Sequence, residues 1–213
     1  RHYRPTRMAD IVLVHGAWHG PWCWTDVAAA LGERGHCVEA VCLPGHDGPG
    51  TNDRIWIGIS HHVDAVAHAV PRATDPTVLV GHSMGGYVIR RFLETGTAAH
   101  AVLVASVPPR GTLGLLVRQV RRHPTVALKG TLLADFTDLI RSDALVRELL
   151  FTETTPVSVI GARDDGIFTL AEQCDFAEAY GVEPLLLDGG HDLMLDTSWP
   201  NLVDSIDAVT RRR

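Results

Sequence analysis

Gly81-His82-Ser83-Met84-Gly85-Gly86 sets a serine two residues from glycine on either side, directly after the apolar run Thr77-Val78-Leu79-Val80. In a G-x-S-x-G turn between a buried strand and a helix, the backbone bends so sharply that the hydroxyl projects above the sheet edge. Gly81 and Gly85 are expected where strand and helix approach too closely for side chains. Ser83 is therefore the candidate nucleophile, and a hydroxyl at neutral pH needs a base to take its proton. The chain has 12 histidines, so position must decide between them. His191, in Gly189-Gly190-His191-Asp192, lies between the last strand pattern and the last helix pattern, on a loop able to reach over Ser83. His15 and His82, bounded by glycine, are expected to pack or hydrogen-bond locally. His61, His62, His68 and His123 show no HExxH spacing and read as solvated or satisfied.

The base needs a carboxylate to orient it, expected in the loop after the strand that precedes the histidine's own, in chain order Ser, Asp, His. That loop is Gly161-Ala162-Arg163-Asp164-Asp165-Gly166-Ile167. Two aspartates compete; Asp164, third after the strand-ending glycine, is preferred because the loop must turn back toward His191. The oxyanion formed on attack needs two N–H donors. One is expected from Met84, right after the nucleophile, and one from Ala17 in His15-Gly16-Ala17. Each such donor is typically worth about 2.7–4 kcal/mol in the transition state. Trp18, Trp22 and Trp24, with Leu113 and Leu116, are candidates to line an apolar substrate pocket, the competing role for the tryptophans being core packing.

These loops have to be placed by regular elements. Ile11–Val14 and Thr77–Gly81 are apolar on both alternations, as strands of a parallel sheet covered on both faces are. Further strands are expected at Cys37–Val41, Ala101–Ala105, Val157–Gly161 and Pro184–Leu187. Helices are expected near Thr25–Arg34, Ile57–Val70, Met84–Glu94, Thr169–Tyr180 and Ser198–Thr210, with Gly35, Gly96 and Gly181 beyond their ends. Alternation of this kind gives a doubly wound α/β sheet, mostly parallel. Gly111–Thr155 is too long for a crossover helix and carries two amphipathic patterns, so residues 111–155 read as an inserted helical cap over the site. The competing reading is a crossover helix with extra surface turns. Residues 8–213 then form one domain, with Met8 the expected start and residues 1–7 a disordered or appended leader.

At 213 residues, 46% hydrophobic and 21% charged, the chain suits one soluble domain. Its net charge of −6 gives no basic footprint for nucleic acid. No apolar run reaches membrane-span length. Cys23, Cys37, Cys42 and Cys174 have neither CxxC nor zinc spacing and read as buried, reduced core thiols of a cytoplasmic protein. No metal and no cofactor are expected.

With nucleophile, base, acid and oxyanion loop in order, the chain resembles the α/β-hydrolase superfamily from Ile11 onward. Val12–Trp24, the Gly81–Gly86 elbow, Asp164-Asp165-Gly166-Ile167 and Gly190–Leu195 are similar to the plant methylesterase and hydroxynitrile lyase group. The resemblance implies a serine esterase without cofactor, an acid at Asp164 and donors at Ala17 and Met84. The lyases of the group carry threonine after the first histidine and lysine after the catalytic one. Here Gly16 and Asp192 stand there, which disfavours cyanohydrin cleavage. The expected activity is hydrolysis of a small carboxylic ester through an acyl-enzyme, with a small-molecule ester as substrate, no nucleic-acid or membrane partner, and the oligomeric state left open. The alternatives are a lactonase, thioesterase, lyase or tailoring enzyme on the same triad, or a ligand-binding protein on this scaffold.

Overall fold

The computed structural model describes residues 9–46, 57–70, 77–107 and 155–211. The expected cap, with Leu113, Leu116 and His123, and the leader 1–7 lie outside the described residues. Six strands, β1 (Asp10–Val14), β2 (Cys37–Val41), β3 (Thr77–His82), β4 (His100–Val104), β5 (Val157–Ala162) and β6 (Leu185–Leu187), form one sheet in the order β2-β1-β3-β4-β5-β6. Every neighbouring pair is parallel. Among the described residues five α-helices alternate with them: α1 (Thr25–Glu33), α2 (Ile59–Ala69), α3 (Met84–Phe92), α4 (Leu170–Glu178) and α5 (Trp199–Arg211).

The period-two alternation of each strand feeds two cores. Ile11 and Leu13, with Val78, Val80, Val102 and Val104, pack under Val27 and Leu31 of α1 and Leu202 and Ile206 of α5. Val12 and Val14, with Leu79 and Leu103, face Val66 of α2, Val88 and Ile89 of α3 and Phe176 of α4. Each buried aliphatic side chain contributes about 1.5–3 kcal/mol of transfer free energy, which is why continuous β-branched runs form the central strands. Because all six strands are parallel, the loops after β1, β3, β5 and β6 emerge at one edge of the sheet.

Element ends follow local chemistry. The chain leaves α1 through Gly35 at φ 91° and leaves α4 through Gly181 at φ 66°, conformations that favour glycine. Thr169 Oγ1 accepts from the Glu172 amide while Glu172 accepts from the Thr169 amide, a reciprocal cap that starts α4 right after the acid loop. Two expectations are corrected. Cys37, Cys42 and Cys174 are exposed and only Cys23 is buried: Cys37 is on the edge strand β2, Cys42 directly follows it, and Cys174 is on α4 away from its buried residues Gln173, Phe176 and Ala177. His62 is buried rather than solvated, its ring 5.8 Å from that of His46, and its Nδ1 has no hydrogen bond. Burial pushes its pKa down to about 4.

Candidate active site

Ser83 follows β3 directly and adopts φ 51°, ψ −115°, a left-handed conformation that costs a serine on the order of 1–3 kcal/mol. Close approach enforces the bend. A Cβ on Gly81 would come within 2.6 Å of the Gly86 amide nitrogen, and one on Gly85 would run into the Val14 carbonyl oxygen. From Thr77 to Ile89 only Ser83 is not buried. Its carbonyl accepts from the amides of Gly86 and Val107 and its amide donates to the Val104 carbonyl, so the strained residue is held by α3, by β4 and by the segment after β4.

The β1 loop lies against it. A Cβ on Gly16 would stand 3.0 Å from Ser83 Cβ and 2.9 Å from His82 Nδ1, so only glycine lets the two loops touch. Among the described residues no backbone carbonyl accepts from the amide of Ala17 or of Met84. Two donors are thereby left beside the serine, Met84 being the first residue of α3, where helical amides lack internal partners. His15 is tied down: Nδ1–H donates to the Gly16 carbonyl at 2.8 Å and Nε2 accepts from the Leu43 amide at 3.2 Å. Burial pushes its pKa down to about 4.

The acid loop overturns one expectation. Asp165, not Asp164, meets the histidine: His191 Nδ1–H donates to Asp165 Oδ2 at 2.9 Å, with the Asp165 side chain wholly buried. The physical reason is ladder length. Arg163 still donates to Leu187 and Asp164 to Gly189 through backbone amides, so the chain has not turned by residue 164. Asp164 is left in an outer depression with Asp188 and Asp196. The turn comes one residue later, where Asp165 Oδ1 accepts from the amides of Ile167 at 2.7 Å and Phe168 at 2.9 Å. Gln173 of α4 fixes the base of this loop, its amide bonding both the N–H and the carbonyl of Ala162.

His191 leaves the β6 loop over this carboxylate, with the Phe168 ring 5.3 Å from its own. Donation from Nδ1 to Asp165 leaves Nε2 as the basic nitrogen. Among the described residues no hydrogen bond joins Ser83 Oγ to His191; the two are connected through His82, whose Nε2–H donates to the His191 carbonyl at 3.1 Å. His82 was expected to bond locally and instead ties the elbow to the histidine loop. It is fully buried, and burial holds its imidazole well below the ordinary range, neutral. Asp196 braces the same loop by accepting from Gly190 at 2.8 Å. Hydrogen bonds from Gly190 and then Thr197 hold its carboxyl below the usual carboxylate range. Its place five residues beyond His191 gave no motif by which to find it.

Trp24 is core, 0% exposed, whereas Trp18 and Trp22 are 42% and 58% exposed beside the β1 loop. Trp22 lies 5.5 Å from the His19 ring.

The alpha/beta hydrolase family profile matches residues 11–204. The carbendazim hydrolyzing esterase of Nocardioides sp. (strain SG-4G) is 30% identical over 89% of this chain and 95% of its own length. Methylesterase 10 of Arabidopsis thaliana is 35% identical over 40% of this chain and 32% of its own, in keeping with the plant methylesterase resemblance. The structure of a tomato methylketone synthase I variant with beta-ketoheptanoate superposes with a TM-score of 0.73 at 19% identity, covering 98% of this chain and 99% of that one, a likeness of fold. By its elbow, its parallel sheet and the match across nearly its whole length, this chain belongs to the alpha/beta hydrolase family.

Proposed function

We propose that the chain is a serine hydrolase of small carboxylic esters, with Ser83 as nucleophile, His191 as base and Asp165 as orienting acid. The observation that carries the reading is the 2.9 Å bond from His191 Nδ1 to buried Asp165 at the sheet edge where Ser83 is strained outward. Ser83 Oγ attacks the ester carbonyl as His191 Nε2 takes its proton, a step that needs the hydroxyl and the loop to close on each other when substrate binds. The amides of Ala17 and Met84 hold the oxyanion. The C–O bond breaks, and His191 returns the proton to the leaving alcohol. Water, deprotonated by His191, then attacks the acyl-enzyme and releases the acid and the serine. Asp165 keeps the imidazole in the required tautomer throughout.

The relatives named as esterases support this reading, and Trp18 and Trp22 fit the mouth of an apolar pocket, which residues 111–155 would complete as a cap with Leu113 and Leu116. Among the described residues no helix is long and apolar enough to cross a membrane. Exposed Cys37 and Cys174, neither of them in a disulfide, favour a reducing compartment, the cytoplasm. The test is Ser83→Ala against a panel of p-nitrophenyl and methyl esters of graded chain length. Wild type turns over at least one series and the variant none, while a fluorophosphonate labels only wild type. Equal slow hydrolysis by both would end the proposal.

A further inference from the structure

Three side chains with no part in the proposed reaction converge beside it. Asp192 Oδ1 stands 3.6 Å from His19 Nε2 and 3.5 Å from His82 Nε2, and the three donor atoms lie within 4.8 Å of one another. These spacings are too long for hydrogen bonds. The shared oxygen is buried and has no hydrogen-bond partner, although two imidazoles face it. Two ligands each about 2.0–2.1 Å from one tetrahedral zinc ion stand about 3.3–3.6 Å apart, which is the separation of Asp192 Oδ1 from each imidazole; the two imidazole nitrogens, within 4.8 Å of each other, would draw together on one ion. His19 is already set in the matching tautomer. Its Nδ1–H donates to the Ala17 carbonyl at 2.9 Å, the outer bond a metal-binding imidazole usually makes, which leaves the Nε2 lone pair toward Asp192. His82 supplies the rigid wall, with a side chain only 1% exposed.

We propose that His19, His82 and Asp192 form a binding site for a late first-row divalent cation of the zinc class. Two imidazoles and a carboxylate suit zinc better than magnesium or calcium, which prefer all-oxygen shells. The ligands come from the β1 loop, the end of β3 and the β6 loop, far apart in the chain, so no sequence spacing announces them. Their neighbours are the proposed reacting groups: His82 precedes Ser83, Asp192 follows His191, and His19 lies two residues beyond Ala17.

Occupancy therefore has a mechanical consequence. His82 Nε2–H now donates to the His191 carbonyl. A cation needs that nitrogen's lone pair, so the proton moves to Nδ1, which has no partner, and the bond holding the histidine loop is lost. The cation acts as a reversible inhibitor. Binding stands independently of the hydrolase reading, and only the inhibition rests on it.

The test is calorimetric titration of the full chain with zinc chloride, with the visible spectrum of bound cobalt(II) as a second report on ligand type. One ion binds per chain. The dissociation constant rises at least about tenfold in His19→Gln and in Asp192→Asn, both polar replacements of similar size, and stays unchanged in His68→Ala, an exposed histidine outside the cluster. Ester turnover falls at saturating zinc and returns with EDTA. No one-to-one binding, or equal binding in wild type and both cluster variants, would overturn the site. If no ester is ever turned over, the titration still decides it.

Discussion

The two ends of the sheet use carboxylates to opposite effect. Before β2, Asp207 of α5 accepts from His36 at 3.0 Å, from Arg34 at 3.1 Å and from Arg211 at 3.0 Å, so both its oxygens are engaged. Burial would raise its carboxyl, but Arg211, His36 and Arg34 hold it below the usual range. At the opposite edge Ser83, Trp18 and Ala105 all have positive φ, and His82 Nδ1, Ser106 Oγ and Asp192 Oδ1 are buried without hydrogen bonds. One end is a clasp joining α5 to the entry of β2, its carboxylate fully engaged although His36 Nδ1 is buried without a hydrogen bond. The other holds strain and bare polar atoms around a serine, and there only Asp165 among the loop carboxylates matches the clasp in being both buried and fully engaged.

The contrast is sharpened by removing a group from each end. His191→Ala at the strained edge lowers ester turnover by about 10⁴-fold or more, measured by initial rates, with little change in thermal midpoint. Asp207→Ala at the clasp does the reverse: unfolding in urea shows a loss of about 2 kcal/mol, while turnover stays as in wild type. A smaller and more gradual effect comes from pH. Unfolded imidazoles titrate near their ordinary 6.5, whereas folded His15 and His62 stay neutral down to about 4. Below pH 6.5 the unfolded chain binds protons that the fold refuses, so stability present at neutral pH is lost progressively between 6.5 and 4. The thermal midpoint should fall across that window, and less steeply in His62→Gln. A midpoint independent of pH there would contradict the burial of these rings.

Most of the architecture was legible because a parallel sheet buried on both faces writes continuous apolar runs. Ile11–Val14 and Thr77–Val80 announced their strands, and glycines at 35 and 181 announced helix ends. The elbow was legible for the same reason: Gly81 and Gly85 record a close approach that a pattern of types can express. Asp165 was not, since counting from Gly161 does not reveal that the β5–β6 ladder continues through residue 164. Nor could sequence show that His82 reaches across to His191, or that Asp196 and Gln173 brace the loops around it. Those roles depend on contacts between segments far apart in the chain, for which adjacent residues carry no mark. Cys37 and Cys174 were misread by composition, because a cysteine's exposure depends on whether its strand or helix face is an outer one.

The central claim, that His191 is oriented by the second aspartate of its loop pair, is tested most directly by measuring kcat for Asp164→Asn and Asp165→Asn side by side on one ester. An amide at 165 can no longer anchor the Nδ1–H tautomer, and kcat should fall by about 10³–10⁴-fold, whereas Asp164→Asn stays close to wild type. The reverse order, or equal small losses in both variants, would contradict the account.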